Sequence, residues 1–340
     1  MACRVAYTPI RSGLKGVPMS NRLGILQFIV RRLLLGLVTL FVVSVFIFAA
    51  TQALPSDAAQ TVLGRNATPA SLKHLREQLG LDRPLLNQYF GWLWGIIRGD
   101  PGESTATGIP ILDYIDDRVI SSLFLLALAS AISIPLSLLI GALQARHRDT
   151  SFDQASSFSM LGLASIPEFV IGMILVIVFA TVQWKLLPAV AQFGTDRAWQ
   201  HMDQMILPTA TLVLGAVPYI SRVTRAALIE VLDSDYVEMA RLKGAPERTV
   251  LWRHAMPNSL GPVFQVIALN IAYFAGGVIV VEYLFNFPGI GGALSAAVGS
   301  RNIPVIQFLV MILATVYVLV NLLADVATIL VTPRLRTRVS

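Results

Sequence analysis

The sequence predicts an all-α, polytopic membrane protein with about six transmembrane helices. Of its 340 residues, 55% are hydrophobic and only 14% are charged, whereas a soluble domain carries about 25% charged residues. The apolar residues also gather in long runs, and a helix needs about 20 of them to cross a bilayer. Composition and spacing therefore indicate membrane spans and not only a large core.

Six stretches are long and apolar enough to be spans. They are residues 28–50, 119–145, 156–182, 205–221, 259–281 and 304–331. The fourth is the weakest, because it is short and contains Pro208 and Pro218, although neighbouring helices can satisfy the carbonyls that a proline frees. A cleaved signal peptide is the alternative for the first stretch. Its apolar run exceeds the roughly 7–15 residues typical of such signals, which favours a retained span.

Lysine and arginine predict that both termini are cytoplasmic. Basic residues gather on the cytoplasmic side of membrane proteins. With the N-terminus inside, the short outer loops hold only Lys185, Arg197 and Arg301, and most other basic residues fall inside. The net charge of +6 then follows from topology and gives no reason to expect nucleic acid binding.

The chain divides into four parts. Residues 1–22 form an N-terminal cytoplasmic tail, 23–52 the first transmembrane helix, 53–118 an extracytoplasmic segment, and 119–338 a transmembrane core that includes the loop 222–256. The first 18 residues lack any periodic pattern, so we expect them to be dispensable. They are interpreted either as a disordered tail or as residues upstream of a start at Met19.

The extracytoplasmic segment predicts two surface helices. Thr68 can cap the first, with Pro69 at its first position and Gly80 at its end. The second follows Asp82 and Pro84, runs to about Arg98 and carries four aromatic residues: Tyr89, Phe90, Trp92 and Trp94. Two interpretations stand, a lid over the outer mouth and a linker with an aromatic anchor at the membrane boundary.

The loop 222–256 predicts two short helices at an angle. Ser234 or Asp235 can cap the first, with Glu238 as a capping-box partner, and Gly244 can end it in a left-handed turn. We expect Pro246 to open the second helix at its first position. Pro257 marks its expected end, just before the fifth span. Such a pair suits insertion into a groove on a soluble partner, or a position flat on the lipid surface, and periodicity alone leaves both open.

This loop resembles the coupling motif of ABC importer permeases, written EAA-x3-G-x9-I-x-L-P. Glu238-Met239-Ala240, then Gly244, then Met256-Pro257 match its spacing, with Met239 in place of the first alanine and His254 in place of the isoleucine. The resemblance to the dipeptide, oligopeptide and nickel permease family covers about residues 22–338. It includes Arg31-Arg32-Leu33-Leu34, Asp235-Tyr236-Val237, Phe287-Pro288-Gly289-Ile290-Gly291 and Pro333-Arg334-Leu335-Arg336. The aspartate and tyrosine usual after Arg301 are Asn302 and Ile303 here, a difference that would bear on the solute and not on the architecture.

The resemblance implies a permease subunit of a type I ABC importer in a bacterial inner membrane, crossing it several times. It implies three kinds of partner besides lipid: a second homologous permease or a second copy, two ATP-binding cassette subunits, and an external solute-binding protein. No cofactor is expected on this chain, because ATP and Mg²⁺ would bind the partner ATPases. The solute would be peptide-like, with nickel chelates, glutathione or oligosaccharides as alternatives. The residues implied in ATPase coupling are Asp235, Tyr236, Glu238, Ala240, Lys243, Gly244, Arg253 and Pro257.

Ionisable residues inside spans are costly and therefore suggest function. Pro167 and Glu168 in the third stretch and Glu282 at the end of the fifth are candidates for a translocation path. An interhelical hydrogen bond is the alternative role for Glu168, and a position at the membrane interface is the alternative for Glu282.

Three further polar residues in the spans favour structural roles. We expect Asp325, late in the sixth stretch, to pair with an arginine at the inner face such as Arg222 or Arg225. Asn270 and Asn321 are expected to form hydrogen bonds between helices.

Several enzyme chemistries are excluded by the sequence. None of the four lysines follows a glycine, so the chain has no GxxxxGK[ST] phosphate loop. It has one cysteine, and its four histidines are scattered, which argues against a zinc site. A transporter driven by an ion gradient and a membrane-embedded enzyme are the rival classes. The first predicts paired broken helices, and the second a catalytic constellation within the spans; neither pattern is evident.

Overall fold

A computed structural model describes residues 21–53, 68–78, 82–181, 186–193 and 196–331. Within these ranges the regular structure is helical, apart from one isolated bridge between Glu103 and Pro110, which confirms the all-α class. The twelve α-helices described are α1 (Asn21–Gln52), α2 (Pro69–Gln78), α3 (Leu85–Arg98), α4 (Ile111–Arg146), α5 (Ser151–Ala164), α6 (Glu168–Leu175), α7 (Met202–Leu232), α8 (Asp235–Leu242), α9 (Glu247–Thr249), α10 (Met256–Leu284), α11 (Ile290–Gly299) and α12 (Ile303–Val331). The expectations for residues 1–18 and for Gly80 lie outside the described residues.

Four of these helices are long and apolar enough to cross a membrane, and the number rises to six if each of two bent pairs is one span. One bent pair is α5 with α6 and its π-helical continuation Val176–Thr181, at an angle of 102°. The third predicted stretch, 156–182, is thus a bent pair of helices and not one straight helix. The bend falls at Ser165–Pro167 because a proline cannot donate to the helical ladder and restricts the residue before it.

Helix α7 is the central helix, although its sequence was the weakest span. It packs against α4 and α10, and 61% of its apolar window is buried inside the chain, against 11% for α1. A helix surrounded by protein need not be apolar on every side, which explains its composition. Pro208 and Pro218 lie within it and are both buried, so the helix continues through them to Leu232 and into the segment expected to be a loop.

Of the two outer helices, α3 is tied to the first span. The Thr68 hydroxyl caps α2 by accepting from the Ser71 amide at 3.2 Å. In α3, the Tyr89 hydroxyl lies 2.8 Å from the Ser44 hydroxyl of α1, and Phe48 packs on both Tyr89 and Trp92. The aromatic residues thus fix α3 to α1, with Pro84 as its N-cap residue.

Asn302 holds the loop before α4 to the start of α12. It is buried, its amide donates to the Ser104 hydroxyl at 2.7 Å, and its carbonyl oxygen accepts from the Thr105 amide and hydroxyl at 3.2 and 3.1 Å. All of these contacts lie within the chain. The asparagine at this position therefore has a structural role in this chain.

The remaining polar residues of the spans find partners other than those expected. Asp325 pairs with Arg32 of α1 at 3.1 Å. Asn270 and Asn321 donate to carbonyls of their own helices, four residues earlier. The expected pairing of Asp325 with an arginine is confirmed, although the partner is not Arg222 or Arg225. For Asn270 and Asn321 the expected bonds between helices are not seen among the described residues. Sequence spacing does not show which helices are neighbours.

Candidate functional site

A left-handed turn at Gly244 ends helix α8. Gly244 has φ +81°, its amide donates to the Arg241 carbonyl at 2.9 Å, and the Ala245 amide donates to the Ala240 carbonyl at 3.1 Å. These two bonds form a Schellman motif, in which glycine takes the left-handed position without a Cβ penalty. The predicted helix end is confirmed. The capping box is not formed, because the Ser234 hydroxyl donates back to the Val231 carbonyl and no side chain caps α8.

The two short helices on either side of this turn form an elbow, residues 235–249, whose second arm continues into a membrane helix. Pro246 is the N-cap residue before α9, not its first helical residue. A π-helical segment, Val250–Ala255, follows and leads directly into α10. The expected helix end at Pro257 was wrong, because this proline falls in the first turn of α10, where a missing amide is tolerated. Displacement of the elbow would therefore pass along a continuous helix.

Apolar contacts anchor both arms to the helical core. Val237 of α8 is completely buried, and α8 contacts the π-helical segment. Leu251 and Ala255 of that segment join a buried cluster with Leu228 of α7 and Ala142 of α4. Through the π-helical segment the elbow is thus joined to α4 and α7, and the same segment continues into α10.

The outward side of the elbow exposes large apolar side chains. Tyr236, Met239 and Leu242 are 45%, 52% and 74% exposed. Asp235, Glu238 and Lys243 are also exposed, Ala240 is half-buried, and Arg253 borders a shallow cleft with Arg248, Thr249 and Trp252. An exposed apolar patch rimmed by charges is typical of a surface for a partner protein.

One contact of the elbow was missed in the sequence. Arg241 and Glu247 form an ion pair across the turn, with Nε and Oε1 2.9 Å apart. Opposite charges six residues apart on either side of a glycine–proline turn are the signal that could have found it. The contact bridges the two arms and limits the range of angles between them.

Glu168 lies at the bend between α5 and α6, next to two other helices. A Cβ atom at Gly215 of α7 would meet its Oε1 atom at 2.7 Å, and one at Gly277 of α10 would meet its Oε2 atom at 2.6 Å. The carboxyl group therefore occupies space left by two glycines. Its Oε1 atom is buried without a hydrogen-bond partner among the described residues.

Glu282 is completely buried near the opposite end of α10 from the elbow. It accepts from the Ser122 hydroxyl of α4 at 2.5 Å and from the Gly291 amide of α11 at 2.6 Å. The Ser122 oxygen in turn accepts from the Ile290 amide at 2.8 Å. These contacts join three helices, and we refer to Glu282, Ser122 and residues 289–291 as the clasp.

Two models of known protein families match this chain. Residues 104–337 match the model of the binding-protein-dependent transport system inner membrane component, and residues 25–134 match the model of the N-terminal part of such membrane components. The chain belongs to this family. The matched region contains the elbow, the bend at Pro167 and the clasp.

Curated relatives cover nearly the whole chain. A protein named "Probable peptide ABC transporter permease protein y4tP" from Sinorhizobium fredii is 36% identical over 313 residues, which is 91% of this chain and 99% of the relative. A protein named "Glutathione transport system permease protein GsiC" from Escherichia coli K12 is 34% identical over 311 residues, covering 92% and 99%.

Family membership confirms several predictions. The chain is a multi-pass inner-membrane protein and a permease subunit of an ABC importer, not an enzyme. ATP hydrolysis belongs to separate ATPase subunits. The rival classes, an ion-gradient transporter and a membrane-embedded enzyme, do not agree with this membership.

Proposed function

We propose that this chain forms one membrane half of an importer for peptide-like solutes, which an external binding protein delivers. The other half would be a second homologous permease, and two ATPase subunits would bind on the cytoplasmic side. The named relatives, one a probable peptide permease and one a glutathione permease, support this solute class. Glutathione is itself a modified tripeptide, so both names fit one class of solute.

The elbow is the surface proposed to dock the ATPase. Its exposed apolar residues Tyr236, Met239 and Leu242 would enter a groove on that subunit. Gly244 and the Arg241–Glu247 ion pair fix the angle at which they are presented. Because the second arm runs into α10, closure of the ATPases would be transmitted to the spans.

The orientation of the chain in the membrane follows if the elbow lies on the cytoplasmic side. Both termini are then cytoplasmic, and residues 53–118 are extracytoplasmic, as the lysine and arginine distribution predicts. The bend at Pro167 and Glu168 would line the translocation path at mid-span. Glu282 would act on the path by holding α4, α10 and α11 together near its outer end, since its carboxyl group is bound within the chain.

A substitution at the exposed residue Met239 tests whether the elbow docks the ATPase. Met239→Asp places a charge on a residue that is 52% exposed, so the chain should fold and insert normally. Desolvating that charge in a protein interface is costly, so we expect the ATPase subunits to copurify at about a tenth of the wild-type level or less.

The matched control is Met202→Asp. Met202 is 47% exposed but lies at the opposite end of α7 from the elbow, and its variant should retain the ATPases. Equal retention by both variants would exclude the elbow as the docking surface. Equal loss would point to general damage by an added charge.

A further inference from the structure

We propose that Glu168, Tyr219 and Tyr273 form a mid-membrane site for a cationic group of the translocated solute, a primary ammonium such as a peptide N-terminus. This inference rests on the proposed function and goes beyond it, because it assigns the chemical group that the path recognises. It depends on three independent features of the site: an unpaired carboxyl group, space created by glycines, and two exposed phenol rings.

The first feature is a carboxyl group without a partner. Glu168 forms no ion pair or hydrogen bond among the described residues, and its Oε1 atom is buried. Burying a polar group without a hydrogen bond is unfavourable, and ionisable residues within spans mark substrate pathways. The other acidic residues of the spans differ: Asp325 pairs with Arg32, and Glu282 accepts two hydrogen bonds. Glu168 therefore remains able to receive donors from outside the chain.

The second feature is the space around the carboxyl group. Gly215 and Gly277 come from different helices, and a Cβ atom at either would meet a Glu168 carboxylate oxygen at 2.7 or 2.6 Å. Gly276, the neighbour of Gly277, has no atom within 4 Å of its own Cβ position. Of these two adjacent glycines, only the one facing Glu168 is required for space.

The third feature is a pair of tyrosines beside the glycines. Tyr219 lies one turn after Gly215 in α7 and shares a helix face with it. Tyr273 lies four residues before Gly277 in α10, where the helix is bent by 46° between Phe274 and Gly276. The two tyrosines are 47% and 55% exposed on this chain. Tyr273 lies well inside the fifth predicted stretch, 259–281, and Tyr219 lies near the end of the fourth, 205–221.

These features select a cation. The face of a phenol ring attracts an ammonium group, and a carboxylate accepts short, charge-assisted hydrogen bonds from one. A carboxylate group of the solute would be repelled by Glu168. The site therefore fits the ammonium end of a peptide, and its opposite end would lie elsewhere.

The test is uptake of two peptides by the complete importer, with its partner permease, ATPases and binding protein, in proteoliposomes. The probes are trialanine, which has a free amino terminus, and N-acetyl-trialanine, which has none. Uptake by each variant is given as a ratio to wild-type uptake of the same peptide, so the preference of the binding protein cancels. Glu168→Gln and Gly277→Ala should lower trialanine uptake about tenfold, the size expected for a lost hydrogen bond to a charged group, and should leave N-acetyl-trialanine uptake within about twofold of wild type. Gly276→Ala is the matched control and should change neither.

Each outcome separates this inference from the function on which it rests. Uptake by wild type with an equal loss of both peptides in Glu168→Gln would overturn the cation site and leave the proposed function standing. No uptake of either peptide by wild type would overturn the peptide-like solute class and the ligand proposed here with it. An unchanged trialanine ratio in both variants would also reject the site.

Discussion

The elbow and the clasp both depend on glycine, for opposite physical reasons. At the elbow, Gly244 has φ +81° and open space around its Cβ position, so glycine is needed for its backbone conformation alone. At the clasp, Gly289 has an ordinary φ of −118°, but a Cβ atom there would overlap the Glu282 carboxyl group. A Cβ atom at Gly291 would lie 2.5 Å from the Cα atom of Ile279.

This difference separates a surface proposed to work through a partner from a contact that works within the chain. The elbow presents exposed residues, so changes there should alter association with the ATPase and leave the helical core intact. The clasp is buried and joins α4, α10 and α11, so changes there should destabilise the chain itself.

The elbow and the clasp should lie on opposite sides of the membrane. With Cys3 replaced by serine, a cysteine at exposed Ala106, close to Asn302, should react with a membrane-impermeant thiol reagent in intact cells. A cysteine at exposed Glu230, just before the elbow, should react only after the membrane is opened. Ser104 is unsuitable as a reporter, because it is buried and hydrogen-bonded to Asn302. The reverse labelling pattern would invert the topology.

Removing the clasp carboxyl group should destabilise the chain. Glu282→Ala leaves the Ser122 hydroxyl and the Gly291 amide without their acceptor, at about 1–3 kcal/mol for each buried group. We expect the free energy of unfolding, measured with denaturant on the purified chain in detergent, to fall by about 3 kcal/mol or more. Glu103→Ala, at an exposed glutamate, is the control. If both variants unfold alike, the clasp does not hold the three helices.

Changing the backbone at the elbow should weaken partner binding and not the fold. Gly244→Val would force a branched residue into a left-handed conformation, which costs about 1–2 kcal/mol. The ATPase should then bind about 5- to 30-fold more weakly, with normal insertion and unfolding of the core. Gly244→Asn should bind nearly as wild type, because asparagine tolerates this region. Similar binding by the valine and asparagine variants would show that the conformation of Gly244 is not what the ATPase requires.

Local features of the site were predictable from the sequence. The Gly244 turn followed from a periodic segment that stops at a glycine, because a left-handed helix end is a property of the chain within a few residues. The cap at Thr68 and the break at Pro167 follow from equally local rules, although the size of that bend was not expected. Family-like spacing from Glu238 to Pro257 predicted which loop carries the elbow.

Long-range partners were not predictable in the same way. Asp325 pairs with Arg32 and not with Arg222 or Arg225, and Glu282 binds Ser122, which is 160 residues away. The continuation of α9 into α10 was also missed, because Pro257 reads as a helix end unless the helix already begins before it.

The sequence by itself determined that this chain is helical, crosses the membrane several times, carries no ATP-binding loop and bears a glycine elbow between two long helices. These properties depend on composition, periodicity and residues within one or two turns of each other. Only the tertiary structure decided that α7 is the central helix, that Gly215 and Gly277 make room for Glu168, and that Glu282 closes a buried clasp. Those contacts join residues far apart in the chain, and they exist only because packing brings particular faces of the helices together.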